Sequence, residues 1–299
     1  MRKGSKKNDY SKQKIKTITE NPLKAGFSFR AMPYESINLI PIYIALGVGA
    51  LLVVLALWKK VLTRPACAIA FVVLLLASLF TSYVGLVVFS LSFSLSAVVS
   101  LVKREKRKER EEGLYPHVGA RGVVQVLSNA MPALIYGAVY FATGIPAFMV
   151  ASAVTVVAGV ADSFASDLGI ISDGKVVSIL TFKEVTRGMS GGVSLFGTLS
   201  AFLSSLIVAL ALFGVGNGGV KGLWVTALSA FLGTVIDSIL GASVQRAYKC
   251  EECGSLTERK EHCGSPTVLV KGCAMIDNNL VNALSLVIAG AIAICLYMA

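Results

Sequence analysis

The sequence predicts an all-α protein, a polytopic transmembrane helical bundle of about eight spans, and three observations carry this expectation. The 299 residues are 55% hydrophobic and only 15% charged, with a mean hydropathy of +0.73, whereas a soluble domain carries about 25% charged residues. The charges are segregated: of 17 acidic residues, only Asp162, Asp167 and Asp237 lie within or at the ends of long apolar runs. Those runs have the length of about 20 residues that a helix needs to cross a bilayer, and none alternates with period two as a membrane barrel would.

Residues 1–35 hold nine Lys/Arg against three acids and show no apolar periodicity. They read as a disordered basic tail outside one integral membrane domain, 36–299. No cleavable signal peptide is evident, because the first apolar run starts near Ile37 behind this tail. Spans are expected near 37–58, 64–81, 83–102, 122–142, 145–168, 191–214, 220–245 and 279–298. The stretch 66–102 is one apolar run too long for a single span, and Thr81-Ser82-Tyr83 is its expected turn.

Eight spans place the loops 59–64, 103–121, 166–190 and 246–278 on one side. They contain 3, 7, 3 and 5 Lys/Arg, eighteen in all, while the opposite loops contain only Lys221. The positive-inside rule puts the basic side in the cytoplasm. The tail and its nine positive charges then fall outside, so either the tail is translocated or one of the first three segments does not cross. The net charge of +11 thus reads as an orientation signal and as an affinity for anionic lipid or substrate, with no nucleic-acid partner implied.

The densest polar constellation runs from Ala161 to Thr198. Asp162 and Asp167 close an apolar helix, where a carboxylate costs several kcal/mol unless paired or metal-bound. Five residues separate them, about 140° around a helix, so they share a face only if the helix ends; Gly169 is the expected end. Asp162 and Ser166 do share a face. Lys183 and Arg187 then precede Gly188, Gly191 and Gly192, which open the next helix, with Ser190 and Ser194 adding hydroxyls. Glycines permit close backbone approach, and first-turn N–H groups bind anions, so the segment resembles a phosphate cradle with two cationic clamps. It also has a structural reading, in which the cations snorkel and the glycines pack helices.

Asp237-Ser238 lies about two turns inside the next helix, followed by Gln245. Together Asp162, Asp167 and Asp237 are candidate Mg²⁺ ligands, since this ion takes one or two carboxylates plus substrate phosphates. Arg121, Gln125 and Asn129 recur at i, i+4 and i+8, and Asn278, Asn279 and Asn282 open the last span. Amides within a membrane must be partnered, by a ligand or by other helices. The loop 246–278 is cysteine-rich. Cys250, Cys253 and Cys263 are candidate ligands of a structural zinc, with His262 or Cys273 as the fourth. Cys67 and Cys295 lie in apolar segments and behave as small hydrophobes. Walker A, G-x-S-x-G and H-E-x-x-H motifs are absent.

In order, R-G-V-V-Q-V-L-S-N, A-D-S-F-A-S-D-L-G, R-G-M-S-G-G-V-S-L-F-G-T, D-S-I-L-G-A-S-V-Q and D-N-N-L-V-N resemble the domain of unknown function 92, or transmembrane protein 19, family. That family includes the plant phytyl-phosphate kinase. The resemblance covers about residues 37–299, with the basic tail outside it, and the cysteine cluster inside that range is not general to the family. Ser163 and Asp167 stand where relatives often have Thr and Glu, and Met189 replaces a small polar residue. The resemblance implies a kinase that moves a phosphoryl group from a nucleoside triphosphate, CTP or ATP, to an isoprenyl monophosphate lipid. It implies Asp162, Asp167 and Asp237 on Mg²⁺, Lys183, Arg187 and the Gly191-Gly192-Ser194 turn on phosphates, and the Arg121 stripe and asparagines lining the site. An ion-coupled transporter or flippase and a lipid-phosphate cytidylyltransferase are the competing classes. The expected location is the plasma membrane with the catalytic loops cytoplasmic.

Overall fold

A computed structural model describes residues 39–102, 104–112, 114–115, 120–216 and 218–299. The basic tail expected over 1–35 lies outside them. Helix α1, Ile40–Lys59, takes Pro41 in its first turn, where the missing N–H costs nothing. Helix α2, Arg64–Leu101, has 38 residues but is not straight. Thr81 and Ser82 leave helical geometry, Ser82 at φ 55° and ψ −132°. The chain doubles back there, bringing Gly85 so close to Ala77 that an added Cβ would lie 2.2 Å from the Ala77 carbonyl oxygen. The arms 64–80 and 83–101 therefore form a tight helical hairpin at the expected turn. The described residues hold seven helices long and apolar enough to cross a membrane, and the hairpin makes eight apolar segments of them.

The basic loop 103–121 carries an unexpected short helix α3, Arg104–Glu111. Helix α4 spans Val123–Thr143 and ends on Gly144 at φ 69°, a conformation that favours glycine. Helix α5, Pro146–Ile171, runs two residues past Gly169, so this glycine does not end it. A short antiparallel pair follows, β1 (Val177–Ser178) with β2 (Gly192–Val193). Helix α6, Leu195–Phe213, starts later than the expected 191. Ser194 is its N-cap, accepting from the Gly197 N–H at 3.1 Å, and Gly191 and Gly192 lie outside the helix. Helix α7 spans Gly219–Ser243. Strands β3 (Ala247–Lys249), β4 (Leu256–Thr257) and β7 (Val268–Lys271) form a sheet in the order β4-β3-β7, and β5 (Glu261–His262) pairs with β6 (Ser265–Pro266). The segment 246–278 is thus a folded cap. Asp277 opens the last helix α8, Asn278–Met298, by accepting from the Leu280 N–H at 3.0 Å.

Helix α5 is the axis of the bundle: 72% of its apolar window is buried, against 22–50% for the other six long helices. Its run of Ala, Val, Ser, Thr and Gly lets neighbours approach closely, and Ala151, Val154, Val157 and Ala158 pack with Val208, Leu212 and Ala289 from α6 and α8. Polar side chains tie helices together. Ser152 donates to the Ala133 carbonyl of α4 at 2.8 Å, and Tyr136 of α4 donates to the Val287 carbonyl of α8 at 2.8 Å.

The four basic loops meet at one end of the bundle. Thr63 N–H donates to Arg121 O at 3.1 Å and Arg121 N–H to Val61 O at 2.9 Å; Glu258 N–H donates to Leu114 O at 2.8 Å. Lys271 Nζ reaches Ser190 O at 3.4 Å. The opposite end holds the Ser82 and Gly144 turns and Gly218, which abuts Tyr297 at the end of α8.

Candidate active site

At the basic end, the last turns of α5 and α7, the first turns of α4, α6 and α8, and the segments around Gly188–Val193 and Arg246–Glu258 enclose a cavity of about 1190 Å³. That exceeds the roughly 300–1,000 Å³ usual for small-molecule sites. Its wall brings together Asp162, Ser166 and Asp167 from α5, Asp237 and Ser238 from α7, and Asn278, Asn279 and Asn282 from α8. Arg121, Gln125 and Asn129 join them from the α4 side, and Arg187, Gly188, Ser190, Gly191, Gly192 and Ser194 from the segment before α6. Two expected residues are not in the wall. Lys183 is exposed on the β1–β2 connection. Gln245 is buried behind the wall at 1% exposure, where its amide nitrogen donates to Ser190 Oγ at 2.6 Å and to Glu258 Oε1 at 2.9 Å.

Asp162 and Asp167 stay on one continuous helix, yet both reach the cavity because it follows α5 round from Ala165 to Asp167. Asp167 faces Arg121 at 3.6 Å. Asp162 lies within the fields of Asp237, Asp167 and Arg121. Oδ2 of Asp237 accepts from Ser285 Oγ at 2.9 Å; with its amide turned to satisfy its partners, Asn282 also donates to Oδ2 at 3.1 Å and to Asn278 O at 3.0 Å. The three aspartates do not form one closed ligand set. Among the described residues, the group of three or more ligand atoms mutually within 4.8 Å is the cysteine–histidine cluster described below. Mg²⁺ takes one or two carboxylates plus phosphate oxygens, and Asp162 and Asp237 both line the cavity.

Arg187 has a structural duty that the sequence reading did not anticipate. Its guanidinium donates to Gly169 O and Ser172 Oγ, both at 3.2 Å, and to Gly174 O. Arg110 of α3 donates to Ser172 O at 2.9 Å and to Ile170 O. Together they satisfy the free carbonyls at the α5 C-terminus, where cations are favoured. Arg110 and Lys106 also hold the exposed Asp173 carboxyl down to about 2, through hydrogen bonds from Lys106 first and then Arg110.

The glycine turn packs directly on α7. Gly188 and Gly191 have φ of 85° and 83°, and a Cβ on Gly191 would meet Ala242 Cα and Cβ at 2.4 Å. Tyr115 donates its hydroxyl to Gly188 O. On the other side, Ser190 donates to Glu258, while Lys271 Nζ donates to Gly241 O at 2.8 Å. Glu258 is 5% exposed. Burial pushes its carboxyl up to about 7, against the Ser190 hydrogen bond and the charges of Lys271 and Arg246. Burial, followed by Glu258 and Glu111, also raises the Tyr115 phenol. Burial lowers the Lys271 ammonium. The sequence reading missed Glu258, Tyr115, Lys271, Arg110 and Ser285. Local sequence offers no signal for Glu258, which looks like its loop neighbours Glu251, Glu252 and Glu261.

A second, apolar pocket lies between α1, the α2 hairpin, α4 and α5. Leu52, Val53, Phe71, Leu74, Phe89 and Phe93 line it. It shares Arg121, Gln125, Asn129 and Ser163 with the polar cavity, so the apolar pocket and the charged cavity adjoin along the start of α4 and the facing side of α5.

In the cap, Cys250, Cys253, His262 and Cys263 gather their ligand atoms within 4.8 Å of one another. Cys253 Sγ and Cys263 Sγ stand 3.4 and 3.2 Å from His262 Nδ1. Cys273 is not part of this group; it extends alongside Gln245 near the end of α7. Of the two expected fourth ligands, His262 is therefore the one the fold brings in.

The integral membrane protein DUF92 family matches residues 47–290. Among curated proteins, the chain is 36% identical to Protein PGR of Arabidopsis thaliana over 141 residues, 42% of this chain and 47% of that protein. It is 29% identical to an uncharacterised membrane protein of Methanocaldococcus jannaschii over 155 residues, 52% of this chain and 62% of the relative. It is 31% identical to an uncharacterised membrane protein of Synechocystis sp. over 157 residues, 50% of this chain and 60% of the relative. The matched segments thus span between 47% and 62% of the length of these relatives. No solved structure matches significantly. Because the family match runs from within α1 to beyond the middle of α8, over most of the chain, this chain belongs to the integral membrane protein DUF92 family.

Proposed function

We propose that the chain is a membrane-embedded isoprenyl monophosphate kinase, with its site on the cytoplasmic face of the plasma membrane. The observation that carries this reading is that Arg121, Gln125, Asn129 and Ser163 line both the apolar pocket and the charged cavity, which therefore adjoin. A prenyl phosphate has that same division, a hydrocarbon chain ending in a dianion. The cavity also has room for a nucleotide beside the acceptor's phosphate.

In the reaction, an oxygen of the acceptor phosphate attacks the γ-phosphorus of the nucleoside triphosphate. The bond to the β-bridging oxygen breaks and a nucleoside diphosphate leaves. The acceptor is already an anion, so no general base is required. Catalysis is positioning and charge neutralisation. Arg121 and Arg246 supply positive charge from the wall, and the amides of Gln125, Asn129 and Asn278 supply donors. Asp162 and Asp237 are the residues that would hold Mg²⁺, which when bound offsets charge on the transferring group. Ser285 and Asn282 orient Asp237 for that duty.

The test is acceptor dependence. Protein reconstituted with Mg²⁺ and CTP or ATP should convert geranylgeranyl or phytyl monophosphate to the diphosphate, and should do so far faster than a short soluble alkyl phosphate. Absence of product with every nucleotide from folded protein would overturn the reading, and cation-driven uptake into liposomes would replace it with transport.

A further inference from the structure

The cap contains a second site, separate from the cavity and independent of the kinase reading. We propose that Cys250, Cys253, His262 and Cys263 bind one structural Zn²⁺, and that this ion holds Glu258 in place as part of the cavity wall.

The donor set comes first. Three thiols and one imidazole nitrogen lie mutually within 4.8 Å, and all the cysteines are free of disulfides. At bond lengths of about 2.3 Å for Zn–S and 2.0–2.1 Å for Zn–N, tetrahedral ligands sit roughly 3.5–3.8 Å apart. The two sulfur–nitrogen distances of 3.4 and 3.2 Å need only slight expansion to reach this. The backbone is shaped to match. Cys250 and Cys253 occupy a turn closed by Gly254 N–H to Cys250 O at 2.9 Å, and Gly254 has φ 74°. His262 and Cys263 occupy the β5–β6 turn, with Cys263 at φ 53° and Gly264 at 78°. A cysteine in the left-handed region is strained by about 1 kcal/mol or more. A metal–thiolate bond would offset that strain.

The position of the cluster gives the consequence. It closes the segment 250–263 at both ends, and Thr257 and Glu258 sit near its middle. Thr257 Oγ1 donates to Leu114 O at 3.0 Å, Glu258 N–H donates to the same carbonyl at 2.8 Å, and the Glu258 carboxyl accepts from Ser190 and Gln245. The segment has few apolar residues of its own: Leu256 is exposed and no large hydrophobe between Cys250 and Cys263 is buried. A segment this polar does not hold a buried carboxylate in place by packing, so it needs a clasp.

Full-length protein purified without chelator should contain one zinc per chain by mass spectrometry, and cobalt substitution should give the visible bands of a tetrahedral thiolate site. Cys263→Ser should weaken zinc binding by at least about 100-fold, while Cys273→Ser should leave it unchanged. Stripping the metal should speed hydrogen exchange of the Glu258 amide by about tenfold or more. A metal-free preparation that cannot be loaded with zinc would overturn the site. Unchanged exchange at Glu258 after stripping would overturn the clasp. Neither readout depends on kinase activity, so failure of the kinase reading would show separately.

Discussion

Glu258 is the buried carboxyl that joins the cap to the glycine turn, and its replacement has a calculable effect. A Glu258→Gln substitution keeps an acceptor for Ser190 and Gln245 and removes the ionisable proton. Burial moves the carboxyl from 4.5 to about 7, a difference of ~3 kcal/mol in favour of the protonated form. Because the folded value lies above the unfolded one, the folded state holds this proton more tightly. The stability it contributes is complete below pH 4.5 and lost as pH rises through 7. The glutamine variant has no such loss. Its stability relative to the parent should therefore rise by ~3 kcal/mol between pH 4.5 and pH 8, a relative gain of about 5–10 °C in Tm for a chain of this size. Thermal unfolding in detergent, followed by intrinsic fluorescence across this range, measures it. A difference that stays constant with pH, or that shrinks as pH rises, would refute the argument.

Three further outcomes follow from the geometry. Gly191→Ala places a Cβ 2.4 Å from Ala242 Cα at φ 83°, so it should cost about 2–5 kcal/mol from the left-handed backbone and overpacking together; an unfolding temperature equal to the parent's would contradict this. Arg187→Ala should destabilise by about 2 kcal/mol and speed amide exchange in the last turn of α5, and Arg187→Lys should recover little, because one ammonium cannot reproduce the forked contacts to Gly169, Ser172 and Gly174. Ala97→Phe fills the apolar pocket and should shift acceptor preference toward shorter prenyl chains without lowering nucleotide affinity, which a competition between chain lengths would detect.

The apolar segments were legible because a bilayer fixes their length. The turn at Thr81–Ser82 was legible for the same reason, since a 38-residue apolar helix exceeds what one crossing needs. Errors arose where long-range contacts decide local structure. Gly169 does not stop α5; it makes room for Ser194 Oγ, which would sit 3.3 Å from an added Cβ. Gly192 is apolar and follows the turn, so hydropathy joined it to α6, whereas its backbone pairs with Ser178. Arg187 was legible as a cation near the site, but the carbonyls it satisfies belong to another element. The three aspartates were legible as costly intramembrane charges, although the pairing of Asp167 with Arg121 was not. Glu258 could not be found from sequence at all, because its burial arises only when the cap docks on the loops carrying Leu114 and Ser190. The choice of His262 over Cys273 is likewise made by the β5–β6 hairpin, which no spacing rule specifies.

The central claim is phosphoryl transfer to a lipid phosphate, and the fate of the γ-phosphate tests it most directly. Reconstituted protein would be given geranylgeranyl monophosphate, Mg²⁺ and a nucleoside triphosphate labelled at the γ position, and the lipid and aqueous products separated. Label is expected in the lipid diphosphate, with a matching amount of unlabelled nucleoside diphosphate, and both should be lost in Asp162→Asn and Asp237→Asn proteins that still fold. Label recovered as pyrophosphate, with the nucleotide joined to the lipid, would contradict it.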